Sequence, residues 1–414
     1  MVIISLAFVL GIGEIAFRIL RPVDLGTSHM HRIPHAERGW ALEPEARYIN
    51  QVGPILVPVE YSSEGWRDID HVLPKPLHES RIVVLGDSFM EGYSVRSEET
   101  MTRRLESLLR EQGQPETRAV NLGVGGYGTL QELITYRTVG ARHEPFLVLL
   151  GFYENDLWNN LPGLDSDRGG DGLKLQTRPF LLDGPGFRIS TIDYEGALER
   201  FEANRIAAEN DFFMRMKRNS ALAQRIDDAK AYVESQIETA FALGQAAWSR
   251  GRGAIDSSAE AERLKSRKAS ADRCADRVTR AWSTTERILA QLDEEVEAHG
   301  GKLIVFSVPA IRGIPFSEVG LSPSQTAGNC SRDAAPSQLA VVTQRLGIDF
   351  IDLFPAFHTR SDGDPEALFH AADLHWNAAG HNLAASVIAD ELTDTLAAIR
   401  AGRGIEAEGS SSSP

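Results

Sequence analysis

Short, mostly apolar runs stand in two stretches of this chain: Ile82-Val83-Val84-Leu85, Ala119-Val120-Asn121-Leu122, Phe146-Leu147-Val148-Leu149-Leu150, and later Leu303-Ile304-Val305-Phe306-Ser307-Val308 and Phe350-Ile351-Asp352-Leu353. Runs of this length without polar alternation fit strands covered on both faces. Helical patterns stand between them. Ser97-Glu98-Glu99 supplies a cap and an acidic first turn, Leu105, Leu108 and Leu109 an apolar stripe, and Gly113 a stop. Further helices are predicted from about Thr129 to Val139 and from Asn382 to Leu396. Strands alternating with helices imply a parallel sheet with right-handed crossovers. The predicted fold is a three-layer α/β/α arrangement around a flavodoxin-like parallel sheet of about five strands, with a helical insertion.

The alternation breaks between about Leu161 and Gly300. Phe180-Leu181-Leu182 and Phe187-Arg188-Ile189 flank Asp183-Gly184-Pro185-Gly186, a hairpin pattern. From about Tyr194 to Ala298 the chain reads helical, rich in Ala, Glu, Arg and Leu, and is too long for a loop. Ahead of the first core run, Ile55-Leu56-Val57-Pro58-Val59-Glu60-Tyr61 alternates as an edge strand does, where proline is tolerated. The expected division is 1–20, an apolar N-terminal segment; 21–80, a loop-rich lead-in; 81–160 and 301–400, the α/β domain; 161–300, a mostly helical insertion; and 404–414, a Ser-rich tail expected to be disordered.

Val2 through Leu20 is apolar except for Glu14 and Arg18, near the length that spans a bilayer. It reads as a membrane anchor or signal-anchor, with a buried core helix as the alternative. An anchor would hold the body at the cell envelope, outside the cytoplasm. Arg18, Arg21 and Arg32 lie in or after its end and no basic residue precedes it, which taken literally orients the body inward. Basic residues upstream of Met1 would remove that conflict.

The 414 residues allow one large α/β domain with an insertion or two medium domains. A net charge of -15 argues against a nucleic-acid partner, because phosphate contacts need a basic face. Cys274 and Cys330 have neither C-x-x-C spacing nor neighbouring histidines, so no zinc site is expected, and no cofactor is called for. A disulfide between them and two free thiols both remain open.

Gly86-Asp87-Ser88 closes the first core run, and Asp373 and His375 stand near the far end of the chain. A serine nucleophile needs a base to take its proton, and the base needs a carboxylate to orient it. Ser88, His375 and Asp373 are the candidates for these roles. The competing reading of Ser88 is a helix N-cap. His370 and His381 lack an Asp two or three positions upstream and read as surface or capping histidines. Tyr127 and Trp376 are candidates to line a substrate pocket, since aromatic faces suit sugar rings, and equally to pack in the core.

Gly86-Asp87-Ser88, the Asn121 to Gly126 segment, Asn155-Asp156 and Asp373-Leu374-His375 together resemble, in order and spacing, the blocks of the SGNH (GDSL-type) hydrolase superfamily. The resemblance covers roughly residues 80–160 and 300–395. It implies a Ser88-His375-Asp373 triad. It also implies an oxyanion hole made of the Ser88 backbone N–H, the Gly126 backbone N–H and the Asn155 side chain. Two departures stand out. The third block, usually Gly-x-Asn-Asp, is stretched to Gly151-Phe152-Tyr153-Glu154-Asn155-Asp156, and the usual Asp-x-x-His is shortened to Asp-x-His before Trp376. The second is similar to the alginate O-acetyltransferase branch. The implied activity is hydrolysis of small acyl esters, chiefly acetyl, on glycans or cell-envelope material. The alternatives are polysaccharide O-acetyl transfer with the same triad, and a catalytically weak polysaccharide-binding or assembly protein.

Overall fold

The computed structural model describes residues 11–12, 25–26, 28–162, 178–210, 257–310, 335–371 and 373–402. The anchor reading (all but two of its residues), Cys330, the side chain of Cys274 and the Ser-rich tail therefore lie outside the described residues. Among the described residues no helix is long and apolar enough to cross a membrane.

The lead-in is built of short strands. β1 (Leu25–Gly26), β4 (Arg47–Val52) and β5 (Ile55–Glu60) form one small sheet in the order β1-β4-β5, and β2 (Arg32–His35) pairs with β3 (Gly39–Leu42) in a hairpin. β5 is an edge strand, so Pro58 leaves no central ladder bond unmade. Trp40, Tyr48, Val57, Val59, Tyr61 and Trp66 are buried where these strands meet the main domain.

The main sheet comprises β6 (Ser80–Leu85), β7 (Thr117–Asn121), β8 (Leu147–Phe152), β9 (Lys302–Ser307) and β10 (Asp349–Ile351), all parallel, in the order β10-β9-β8-β6-β7. This is the doubly wound order of flavodoxin-like folds, with its switch point between β6 and β8. The helices are α1 (Ser88–Glu91), α2 (Met101–Glu111), α3 (Thr129–Thr138), α4 (Glu154–Asn159), α5 (Tyr194–Asn210), α6 (Ser257–Ala298), α7 (Ala335–Leu346), α8 (Phe354–Ser361) and α9 (Ala378–Gly402). α5 and α6 fall within the span that interrupts the alternation, and Leu181 and Ile189 form an antiparallel bridge ahead of them.

Strand side chains alternate between the two faces. Val83, Leu85, Val120, Val148, Leu150 and Val305 pack with Leu130 and Leu133 of α3, Ile288 and Leu292 of α6 and Val342 of α7. Ile82, Val84, Leu147, Leu149, Ile304 and Phe306 pack with Leu105 and Leu109 of α2, Phe357 of α8 and Ile388 and Leu392 of α9. The sheet is thus covered on both sides, which is why its strands carry no polar alternation.

One helix start differs from expectation. Ser97–Glu99 form a 3₁₀ turn, and α2 begins at Met101 with Thr100 as its N-cap. Thr100 is extended, with φ -62° and ψ 150°, and its hydroxyl accepts from Arg103 N, so the helix cannot run back through Ser97.

Leu149 is fully buried in β8, between the sheet's central strands and the α2/α9 layer. Leu149→Ala is expected to destabilise the protein by about 2–5 kcal/mol through lost burial and the cavity left behind. Urea denaturation measures this, and a loss below about 1 kcal/mol would contradict the packing described.

Candidate active site

The site sits at the carboxyl ends of β6 and β8, the switch point of the sheet. Leaving β6, the chain passes through Gly86, where a Cβ would fall 2.3 Å from Met90 Cγ. Asp87 follows and is fully buried. Its Oδ1 accepts from Phe89 N at 3.0 Å, capping α1, and its Oδ2 accepts from Asn155 Nδ2 at 3.0 Å. Asp87 rather than Ser88 is therefore the cap residue. The Ser88 hydroxyl instead lies 2.8 Å from His375 Nε2.

His375 reaches Ser88 through a tight turn. Leu374 takes φ 64°, in the left-handed region, and hydrogen bonds from Leu374 N to His370 O and from His370 N to His375 O, each 2.8 Å, hold the loop. His375 N donates to Asp373 Oδ1 at 3.1 Å. Its ring Nδ1 lies 3.1 Å from the Asp373 backbone carbonyl and 3.5 Å from Asp373 Oδ2. Asp373 Oδ2 also accepts from the Ser94 hydroxyl at 2.5 Å. With acceptors on the Nδ1 side, the neutral ring carries its proton there and offers the Nε2 lone pair to Ser88. Burial opposes a charge on His375. The hydrogen bond and charge of Asp373, joined by the charge of Asp87, outweigh that effect and hold the imidazole above its ordinary pKa. Burial likewise pushes Asp373 up, but His375 and Ser94 pull it below the usual carboxylate value. The expected Asp373 contact to His375 is thus a close backbone carbonyl with the carboxylate slightly beyond it.

The glycine-rich segment closes over α1. A Cβ on Gly123 would lie 2.6 Å from the Glu91 backbone nitrogen, so no side chain fits there. Tyr127 N bonds Val124 O at 3.1 Å, and Gly126 takes φ 78°, the third position of a type II turn that favours glycine. Gly125 is the glycine beside Ser88, since a Cβ on it would lie 3.6 Å from Ser88 Cβ. Its N–H is already given to Glu91 Oε2 at 2.6 Å. Gly126 O accepts from Arg178 Nη2 at 2.9 Å and from Asn159 Nδ2 at 3.3 Å, which fixes the turn. Asn121 stays structural: its side chain bonds Met90 O, Arg67 O and Gly123 N.

Tyr127 and Trp376, read as possible pocket residues, are both fully buried among the described residues. The Tyr127 hydroxyl donates to Trp40 O, and Trp376 Nε1 donates to Pro309 O at 3.0 Å. With their polar atoms satisfied inside, these rings serve the core. The aromatic rings that meet His375 are Phe89, at 4.9 Å between centroids, and Tyr93, at 5.1 Å. His381 is buried too. Its Nδ1 accepts from Met101 N at 3.1 Å at the start of α2, and burial, then the neighbouring His375 and His370, hold its pKa down to about 3.

Several site residues carry no signal in the sequence. Tyr93 and Ser94 follow the left-handed Gly92, which ends α1 and turns the chain back toward His375. Arg32 comes from the lead-in, and its Nη2 stands 2.7 Å from where a Gly125 Cβ would be. Glu91, fully buried, accepts from Tyr61 OH at 2.9 Å as well as from Gly125.

Beneath the site lies a cluster of buried acids. α3 is buried nearly all round, which takes Glu132 out of water, and Asp156 of α4 is fully buried as well. Both Glu132 oxygens and Asp156 Oδ1 meet no hydrogen-bond donor among the described residues. Burial, and then the charge of Asp87, raise Glu132 well above its ordinary range, and burial, then the charges of Glu132 and Asp87, do the same for Asp156. Burial also pushes Asp87 up to about 6, against the Phe89 N–H, the His375 charge and the Asn155 amide.

A folded-state carboxyl pKa above its unfolded value means that the native state binds the extra proton. That contribution to stability is complete at acid pH and is lost as pH rises above the unfolded value. Glu132→Gln keeps the shape and removes the titration. Its melting temperature relative to wild type is expected to climb steadily from pH 5 to pH 8. A difference that stays flat across that range would show that Glu132 is not held protonated in the folded state.

Residues 279–409 match the family described as SGNH hydrolase-like domain, acetyltransferase AlgX. The matched span begins in α6 and takes in β9, β10, Asp373, His375 and Trp376, whereas Ser88 and the glycine-rich turn lie before it. No curated protein matches the chain. Among solved structures, the lipase/acylhydrolase from Enterococcus faecalis is 13% identical, with 76% of this chain and 96% of that chain covered and a TM-score of 0.37. A catalytic mutant of an acetylxylan esterase from Geobacillus stearothermophilus is 12% identical, with 76% and 94% covered and a TM-score of 0.38. The five-stranded parallel sheet is of the three-layer α/β/α kind, and residues 279–409 are similar to the SGNH hydrolase-like domain of the acetyltransferase AlgX family.

Proposed function

We propose that the protein is a serine-dependent enzyme that removes small acyl groups, chiefly acetyl, from ester-bearing glycans or cell-envelope material through an acyl-enzyme on Ser88. The observation that carries this reading is the 2.8 Å contact between Ser88 Oγ and His375 Nε2 at the switch point of the sheet. In the first half-reaction His375 takes the Ser88 proton as Oγ attacks the ester carbonyl, then returns it to the leaving alcohol. Asp373 stabilises the imidazolium in between.

The oxyanion is assigned to the Ser88 N–H, the Gly126 N–H and the Asn155 amide. The Asn155 Oδ1 meets no donor among the described residues, and its Nδ2 donates to Asp87. A carboxylate only accepts, so Asp87 turns the NH₂ end of the amide inward, and the second hydrogen of that NH₂ remains to meet the developing charge. A second reading, transfer of the acetyl group to a sugar hydroxyl in place of water, is supported by the match of residues 279–409 to an acetyltransferase family. The site is proposed to work outside the cytoplasm, on a body tethered by the N-terminal apolar segment.

Ser88→Ala is expected to lower esterase turnover by about 10⁴ to 10⁶ without unfolding the protein. Activity within about tenfold of wild type would remove Ser88 from the nucleophile role. A serine-reactive phosphonate should label Ser88, which separates both enzyme readings from a binding protein. Asn155→Ala should lower turnover by roughly 10² to 10³ with little change in KM, since an oxyanion donor acts in the transition state; a change in KM alone would assign Asn155 to substrate binding instead. The raised pKa of His375 places the acid limb of the pH–rate profile above about 6.5. Asp373→Asn removes the charge that raises it, so the limb should move to lower pH while turnover falls. A limb that does not move would mean that another carboxylate sets the imidazole. Product analysis with and without a glycan acceptor distinguishes hydrolysis from transfer.

A further inference from the structure

His375 Nε2 has two hydroxyl neighbours, Ser88 Oγ at 2.8 Å and Tyr93 OH at 3.3 Å. A neutral imidazole nitrogen has one lone pair, so the two hydroxyls compete and the nearer serine holds it in the resting enzyme. Tyr93 is fixed where it stands. Its ring lies against His375, with centroids 5.1 Å apart, and its backbone carbonyl accepts from Asn50 Nδ2 at 3.1 Å. Burial, and then the negative charges of Asp373 and Glu91, keep its hydroxyl protonated. The residue as a whole keeps part of its surface exposed.

Resting on the acyl-enzyme reading above, we propose that Tyr93 holds the acyl acceptor, water or a sugar hydroxyl, for the second half-reaction. Acylation takes the hydrogen from Ser88 Oγ and leaves the Nε2 lone pair bare. The acceptor must then point its O–H at Nε2 with its oxygen against the acyl carbon. Tyr93 OH lies within reach of that same nitrogen. It can accept the second hydrogen of a water, or donate to one lone pair of a sugar hydroxyl and leave the other for attack. The acceptor's proton passes to Nε2 as its oxygen bonds the acyl carbon. Collapse of the tetrahedral intermediate breaks the Ser88 Oγ–carbon bond, and Oγ takes the proton back. The products are acetic acid or the acetylated acceptor, and free Ser88.

Tyr93→Phe keeps the ring against His375 and removes only the hydroxyl. With p-nitrophenyl acetate, rapid mixing separates acylation from deacylation, and intact mass reads the acetyl adduct on Ser88. The expected result is a fall of about tenfold in the ratio of deacylation to acylation, one hydrogen bond's worth, with adduct accumulating beyond the wild-type level. Tyr93→Gln, which restores a hydrogen-bonding group, should fall between Phe and wild type, and provides the reading if the Phe variant is unstable. Equal falls in both steps, or no change in their ratio, would overturn the role of Tyr93 while leaving Ser88 as nucleophile. If wild type never forms a Ser88 adduct, the acyl-enzyme reading fails and the role of Tyr93 fails with it.

Discussion

The site depends on one buried carboxylate. Asp87 ties the amino end of α1 to the side chain of Asn155, and so joins the loops after β6 and β8 at the place where the sheet reverses its winding. A charge with no exposed surface is costly unless its lone pairs are met, and here they are met by an N–H and an amide. Removing either partner would leave one carboxylate oxygen without that donor. The serine hydroxyl therefore projects from a frame set by its neighbour in sequence, and its own side chain is left free of any capping duty.

Around this clamp the lead-in does more than cover the domain. Tyr48 and Tyr61 share a hydroxyl–hydroxyl bond of 2.9 Å, Tyr61 passes its proton-donor contact to Glu91, and Glu91 holds Gly125 beside Ser88. Arg178 lies 4.9 Å over the Trp40 ring and also bonds the Gly126 carbonyl. Strands before the core and a residue from the span between β8 and β9 therefore converge on the same glycine turn, which gives that turn little freedom to shift.

The sheet was legible in the sequence because Ile82 to Leu85 and Phe146 to Leu150 are covered on both faces and leave no other pattern to read. Ser88 and His375 could be paired because a nucleophile requires a base, whatever the distance along the chain. Tyr127 and Trp376 could not be placed, since an aromatic ring beside a motif is equally apt to face inward, and both do. Ser94 and Tyr93 were invisible for another reason. Their roles arise from the left-handed turn at Gly92, which folds the chain back on itself over a few residues. Glu132 reads as an ordinary helix-surface acid until the helix proves to be enclosed on nearly every side.

The shortened Asp-x-His spacing works because Leu374 accepts a backbone conformation that costs a residue with a side chain about 1–2 kcal/mol. In return the turn presents two parts of the same residue to one ring nitrogen, a peptide carbonyl at 3.1 Å and a carboxylate oxygen at 3.5 Å. Aim and charge are thereby supplied by different groups. The peptide carbonyl does not titrate and does not depend on the side chain, so replacing the carboxylate by an amide would take away the charge and leave the heading of the imidazole in place.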